Sequence, residues 1–251
     1  MRAAVALLSM ALAACGSVPG PALPPDPVRG SLTVFAAASL TEAFDRAGAD
    51  FQRLHPAATV HFNFAGSPTL VTQITEGAEA DVFASADQAN MDRVTGAGLN
   101  SGSARVFARN KLEIVVEKGN PKHVSGLADL SRPGFLVVLA GPTVPAGKYA
   151  GQALQAAGVR VTPVSHEVDV KFVVSKVALG EADAGIVYVT DVKAAGSTVD
   201  GIAIPDQYNV VASYPAVVLK GAANPVAARA FLDYLLGAGQ ANLASFGFAA
   251  P

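Results

Sequence analysis

Apolar runs of strand length alternate along this chain with stretches of helical period, and no other feature narrows its possible folds as far. Leu32–Ala36, Thr59–Phe64, Val82–Ala84, Leu112–Val116, Phe135–Ala140, Arg160–Val164 and Ala184–Tyr188 read as strands. Between them Leu40, Phe44, Ala47, Phe51 and Leu54 recur at spacings of four and three, one face of a helix. Further helices are expected at Thr69–Thr75, Gly147–Ala157, Asp169–Leu179 and Pro225–Leu236, each closed by a nearby glycine. Strands that are apolar throughout have no face to offer water. The pattern therefore predicts an α/β fold of mainly parallel sheets with helices on both faces.

The N-terminus reads differently. Arg2 precedes a short apolar run, Ala3 to Ala11, and then Leu12-Ala13-Ala14-Cys15-Gly16. That order resembles a bacterial lipoprotein signal, cleaved before a cysteine that becomes lipidated. Residues 1–14 are expected to be the signal. Residues 15–30 are expected to be the lipidated Cys15 and a spacer carrying Pro19, Pro21, Pro24, Pro25 and Pro27. The apolar run is too short to span a bilayer. Attachment to the outer face of the cell membrane would then be by lipid only. Cys15 is the sole cysteine, so no disulfide forms within the chain.

About 220 residues remain after the spacer, enough for one large domain or two smaller ones with real cores. Hydrophobic residues make up 51% and charged residues 15%, a globular composition. A formal charge of -2 gives no basic field for nucleic acid.

Ligands of parallel sheets sit beyond the C-terminal strand ends, where loops feed helix starts. Four such junctions stand out: Ala36–Glu42, Phe64–Leu70, Gly141–Gly147 and the segment around Asp169-Val170-Lys171. Ser39 and Glu42 read as a capping box, Ser67 as an N-cap followed by Pro68, and Asp169 as a cap. Helix starts expose unpaired amides and a partial positive charge, so together they suit an anion.

Catalytic patterns are weak by comparison. No serine has glycine two residues before and two after it, so the nucleophile elbow is missing. His55, His61, His123 and His166 are scattered, and none pairs with another at metal-ligand spacing. A serine hydrolase using Ser39 or Ser67 would need a histidine in reach, with His61 the candidate. Gly141 to Lys148 mimics a phosphate-binding loop. It has five residues between its glycines, and Tyr149 stands where a magnesium-holding hydroxyl belongs.

At the same junctions the sequence resembles the ModA family, molybdate-binding proteins of bacterial ABC importers. Val34–Thr41, Ala80–Gln88 with Met91-Asp92, Val144–Ala150, Gly185–Asp191, Tyr214–Val218 and the closing Phe246–Phe248 carry the resemblance, which spans Ser31 to the end. It implies a two-lobed periplasmic-binding-protein fold (type II) closing on a tetrahedral oxyanion. Lobe I would comprise 31–109 plus 210–251 and lobe II 110–209, with crossings near Arg109-Asn110 and Tyr208-Asn209. The implied ligand contacts are the hydroxyl of Ser39, the hydroxyl and amide of Ser67, the amides of Ala146 and Val170, and the phenol of Tyr188. Pro68 has no amide to offer, a departure from relatives with a serine-rich second loop. The implied role is capture of molybdate, and of tungstate, by a monomer that hands it to a permease with a cytoplasmic ATPase. No enzyme activity, cofactor or free metal cation is expected. Sulfate or another tetrahedral oxyanion is the alternative ligand.

Neutral donors suffice for such a ligand. Molybdate, tungstate and sulfate are unprotonated dianions at neutral pH, so they need donors and no acceptor. Hydrogen phosphate would gain from a carboxylate, and none of the junction acids reads as facing a ligand. Hydrogen bonds to a charged group contribute roughly 1.5–3 kcal/mol each, so about six outweigh the roughly 4 kcal/mol or more of lost ligand freedom. Lys148 and Lys171, close behind two of the amides, read as solvated surface lysines.

Overall fold

The computed structural model describes residues 26–251. The signal, Cys15 and most of the spacer lie outside the described residues. Nine strands run in chain order: β1 (Gly30–Ala37), β2 (Ala58–Ala65), β3 (Val82–Ala84), β4 (Asn100–Glu117), β5 (Val137–Ala140), β6 (Ser165–Glu167), β7 (Ala184–Tyr188), β8 (Val199–Ala203) and β9 (Val211–Leu219). The helices are α1 (Thr41–Leu54), α2 (Ser67–Thr75), α3 (Gln88–Gly96), α4 (Pro145–Ala156), α5 (Val170–Ala178), α6 (Val189–Ala195), α7 (Pro225–Leu236) and α8 (Gln240–Ser245).

The strands pair in the order β2-β1-β3-β9-β4-β7-β5-β6, with β8 also on β4. β4 is the shared member. Its first part pairs with β9 as far as Lys111↔Val211, and from Leu112↔Tyr188 onward it pairs with β7. One strand thus belongs to two sheets, giving the two-lobed fold of periplasmic binding proteins. Asn209 fastens the switch: its Oδ1 accepts from Leu112 N at 2.9 Å, and its Nδ2 donates to Leu112 O at 2.8 Å.

Each half mixes strand directions. β1–β2, β1–β3, β5–β6 and β5–β7 are parallel, as the apolar runs predict. The pairs through β4 and β9 are antiparallel. The second part of β4 coincides with the expected strand Leu112–Val116, but its first part and β9 were not evident from period alone, because the former carries an exposed run through Ser101–Ser103 and the latter contains Pro215. Pro215 pairs with Val106, where the β4 ladder shifts register, so its missing N–H is tolerated. The expected strand at Arg160–Val164 is displaced: the ladder begins at Ser165, after Pro163, while Val159 and Val161 pack on the core as a connection.

The first half has an aromatic core. Phe44 lies 5.9 Å from Phe62, 5.7 Å from Phe107 and 5.9 Å from Phe231, centroid to centroid. It is fully buried on α1 with Ala47 and Phe51, whereas Leu54, at the helix end, is 58% exposed and leaves the expected face. Truncating such a phenylalanine to alanine costs about 3–5 kcal/mol. The second half packs with aliphatic side chains, among them Val138, Ala153, Val173, Val177 and Ile186.

Candidate functional site

The starts of α2, α4 and α5 converge with the 3₁₀ turn Ala38–Leu40 on one cleft between the two sheets. Its walls include Ser39, Ser67, Ala146, Val170 and Tyr188, so all five sequence-predicted residues come together although they span 150 positions. None is more than 5% exposed. About 10 Å³ stays free for water-sized groups, the scale of a small ion and not of a sugar or peptide. A wider groove of about 820 Å³ runs behind α4 past Leu154, Arg160 and His166, but it does not bring several helix starts together. Convergent chemistry, not size, selects the smaller cleft.

Local sequence explains each helix start. Val144 precedes Pro145 at the first turn of α4, where a proline loses no helix bond, and Ala146 N–H lies ahead of the intrahelical ladder. Gly147 is required there because a Cβ would strike the carbonyls of Ala140 and Gly141 at the end of β5. On α5 the Asp169 carboxylate accepts from Lys171 N at 2.8 Å and Phe172 N at 3.3 Å. The cap covers the second and third amides and leaves Val170 N–H, the first, for the cleft. Asp169 itself lines the cleft, yet its charge is directed to its own helix.

The serines are held differently from the reading of them as caps. Gly66, not Ser67, caps α2, and Ser67 Oγ accepts from Ala86 N at 3.2 Å. That bond uses a lone pair and leaves the hydroxyl proton to donate. Ser39 is no capping-box member: it sits in the 3₁₀ turn, α1 is capped at Leu40, and Ser39 Oγ shares a 3.0 Å bond with the Tyr214 hydroxyl. Asn110 Nδ2, which can only donate, lies 3.5 Å from that Tyr214 hydroxyl and 2.8 Å from Thr190 Oγ1. The order Asn110 to Tyr214 to Ser39 orients the Ser39 proton outward. Tyr214 was visible in the sequence as part of a motif, but its role depends on a partner 175 residues away.

Tyr188 ends β7, its amide donating to Asp191 Oδ2 at 3.1 Å. Its hydroxyl is buried without a hydrogen-bond partner, and burial raises its pKa well above the ordinary phenol value. A buried donor without a partner costs free energy until something fills the cleft. Burial likewise pushes the Asp191 carboxyl up to about 6, against the downward pull of Lys171 and the Tyr188 amide.

Lys171 is not a solvated lysine. Its Nζ lies 2.9 and 2.7 Å from the two Glu42 oxygens and 3.4 Å from Asp191 Oδ1. Burial lowers its pKa, but Asp191 and Glu42 outweigh burial and the net shift is upward. Glu42 is therefore a cross-cleft partner, not a cap partner. Lys148 Nζ likewise lies 3.4 Å from Asp87 Oδ2. No histidine lines the cleft, His61 is exposed on β2, and the serine hydroxyls bond to an amide and a phenol instead of a base. The geometry a serine hydrolase requires is not met. Among the described residues no cluster of three metal-ligating side chains occurs, and no helix is long and apolar enough to cross a membrane.

Comparison with known proteins accords with this architecture. A family model described as bacterial extracellular solute-binding protein matches residues 32–249. The molybdate-binding protein ModA of Mycobacterium tuberculosis H37Rv is 44% identical over 249 residues, covering 98% of this chain and 95% of that one. The periplasmic molybdate-binding protein of Azotobacter vinelandii superposes with a TM-score of 0.76 at 22% identity, over 88% of this chain and 99% of the other. The sulfate-binding protein SubI of Mycobacterium tuberculosis H37Rv gives 0.78 at 18% identity, over 88% and 86%. At those identities the two structures speak for the fold alone. The chain belongs to the bacterial extracellular solute-binding proteins and, among them, to the ModA family.

Proposed function

We propose that this protein captures molybdate, and tungstate with it, in the cleft and delivers it to the permease of an ABC importer served by a cytoplasmic ATPase. One observation carries the reading: neutral donors from both sheets face a cleft of single-ion size, one of them a buried tyrosine hydroxyl without a partner. The ligand contacts are the hydroxyls of Ser39, Ser67 and Tyr188 and the amides of Ser67, Ala146 and Val170. The lysines that follow two of these amides are matched by Glu42, Asp191 and Asp87, so the pull on a dianion rests on dipoles. Dipoles that retain the ion without a fixed counter-charge also allow its release. The protein works as a binding protein and not as an enzyme, with no cofactor, as a monomer held to the outer face of the membrane by lipid on Cys15.

The lobes divide at 109/110 and 209/210, close to where β4 exchanges β9 for β7. Ser39 and Ser67 come from lobe I, and Ala146, Val170 and Tyr188 from lobe II. Only closure completes the shell, so the ligand draws the hinge equilibrium toward the closed form by its differential affinity. Titration calorimetry with molybdate, tungstate, sulfate and phosphate tests the reading. The expected result is one site per chain with micromolar or tighter affinity for the first two and much weaker binding of the others. Sulfate binding as tightly as molybdate overturns the choice of ligand.

A further inference from the structure

We propose that two ion pairs across the cleft, Glu42–Lys171 and Asp87–Lys148, form a clasp that holds the closed state and sets how long the ligand is retained. The inference rests on the reading of the cleft as an anion site but assigns function to residues outside the donor set.

The arrangement is the same on both sides of the cleft. Each lysine stands on a second-half helix one or two residues beyond a cleft amide: Lys171 after Val170 on α5, Lys148 after Ala146 on α4. Each acid stands at a first-half helix start, Glu42 in the first turn of α1 and Asp87 as the cap of α3. In each pair one member is fixed within its own half. Lys171 is held by Asp191 at 3.4 Å, and Asp87 accepts from Asn90 N at 2.9 Å and Asn90 Nδ2 at 2.8 Å. The other members, Glu42 and Lys148, have no second ion-pair partner among the described residues. Their bonds exist only when the halves meet. Gly66 marks the same closure, since a Cβ there would strike the carbonyl of Val168 across the cleft.

Because no lysine or arginine lines the cleft, the proposed donor set has no cation to draw the halves together, and contacts between the halves can add to the affinity of the closed form. Two partly solvated pairs suit that purpose: each is weak enough to break at release, and both are sensitive to salt.

The test replaces the members that serve nothing in their own half, Glu42→Gln and Lys148→Met, singly and together. Molybdate, tungstate and sulfate are titrated, and stopped-flow release is followed for whichever binds the wild type. Release is expected to quicken about two- to fivefold in each single variant and about tenfold in the double variant, the range of partly exposed ion pairs. Raising ionic strength should speed release from the wild type and change the double variant far less. Ligand-free melting temperatures should stay together, because the open form lacks these bonds. Equal release rates in wild type and double variant, or a ligand-free melting point that falls in step with affinity, overturn the clasp. A wild type that takes sulfate and not molybdate overturns the ligand reading alone, and release of sulfate then decides for or against the clasp by the same criterion.

Discussion

The two halves of the cleft are built from different chemistry. The first supplies two hydroxyls already engaged on one side, Ser39 with Tyr214 and Ser67 with the Ala86 amide, beside the helix-start amide of Ser67. The second supplies groups left unpaired: helix-start amides at Ala146 and Val170, and the Tyr188 hydroxyl, buried without a partner. The hydroxyls of the first half are thus organised before any ligand arrives, whereas the hydroxyl of the second carries an unmet demand. A donor already tied into the fold should weaken both binding and stability when removed. A donor left unpaired should weaken binding alone.

Removing the ability to close should have the largest effect. Gly66 has an ordinary helix-approach backbone, φ -57°, so alanine is barred there only by the Val168 carbonyl of the opposite half. Gly66→Ala is expected to lower molybdate affinity about a hundredfold or more by depopulating the closed form. Its ligand-free melting point should not move, and a drop would show that Gly66 serves the fold. Next comes Ser67→Ala, which deletes a proposed ligand donor and strands the buried Ala86 amide. Calorimetry should show about tenfold or greater loss of affinity, and melting a cost of about 1–3 kcal/mol. Tyr188→Phe sharpens the contrast. Affinity should fall about tenfold while ligand-free stability holds or rises slightly, since the lost hydroxyl had no partner. A fall in stability equal to that of Ser67→Ala would erase the distinction between the halves.

The smallest effect is one of pH. The fold raises Asp191 from 3.8 to about 6, so it favours the protonated carboxyl. That contribution is fully present below pH 3.8 and is lost as pH rises through about 6. Asp191→Asn, which stays neutral, should therefore gain in melting temperature on the wild type across that window and hold its gain above it. A difference that shrinks as pH rises would mean that Lys171 dominates the carboxylate.

How much of this could be read from the chain follows from range. Helix starts are local, so Ser67-Pro68, the Gly141–Gly147 segment and Asp169 marked three junctions that the structure brings to one cleft. The parallel strands were legible because their apolar runs are continuous. β8 and β9 were not, and neither was the double membership of β4, because antiparallel pairing with a bulge and an internal proline leaves no clean period. Glu42 looked like a cap partner for Ser39 at local range, yet Lys171, 129 residues on, claims it. Sequence spacing cannot disclose a contact made only when two lobes meet. The same limit hid Tyr214 behind Ser39 and the carbonyl that requires glycine at position 66.

The central claim is that uncharged donors from both halves enclose one dianion. Crystals grown with molybdate, with diffraction recorded across the molybdenum absorption edge, test it most directly. The account predicts one anomalous peak per chain in the cleft, its oxygens within hydrogen-bond distance of Ser39, Ser67, Ala146, Val170 and Tyr188. A peak seated on Lys148, Lys171 or an arginine, or none in the cleft at saturating molybdate, would contradict it.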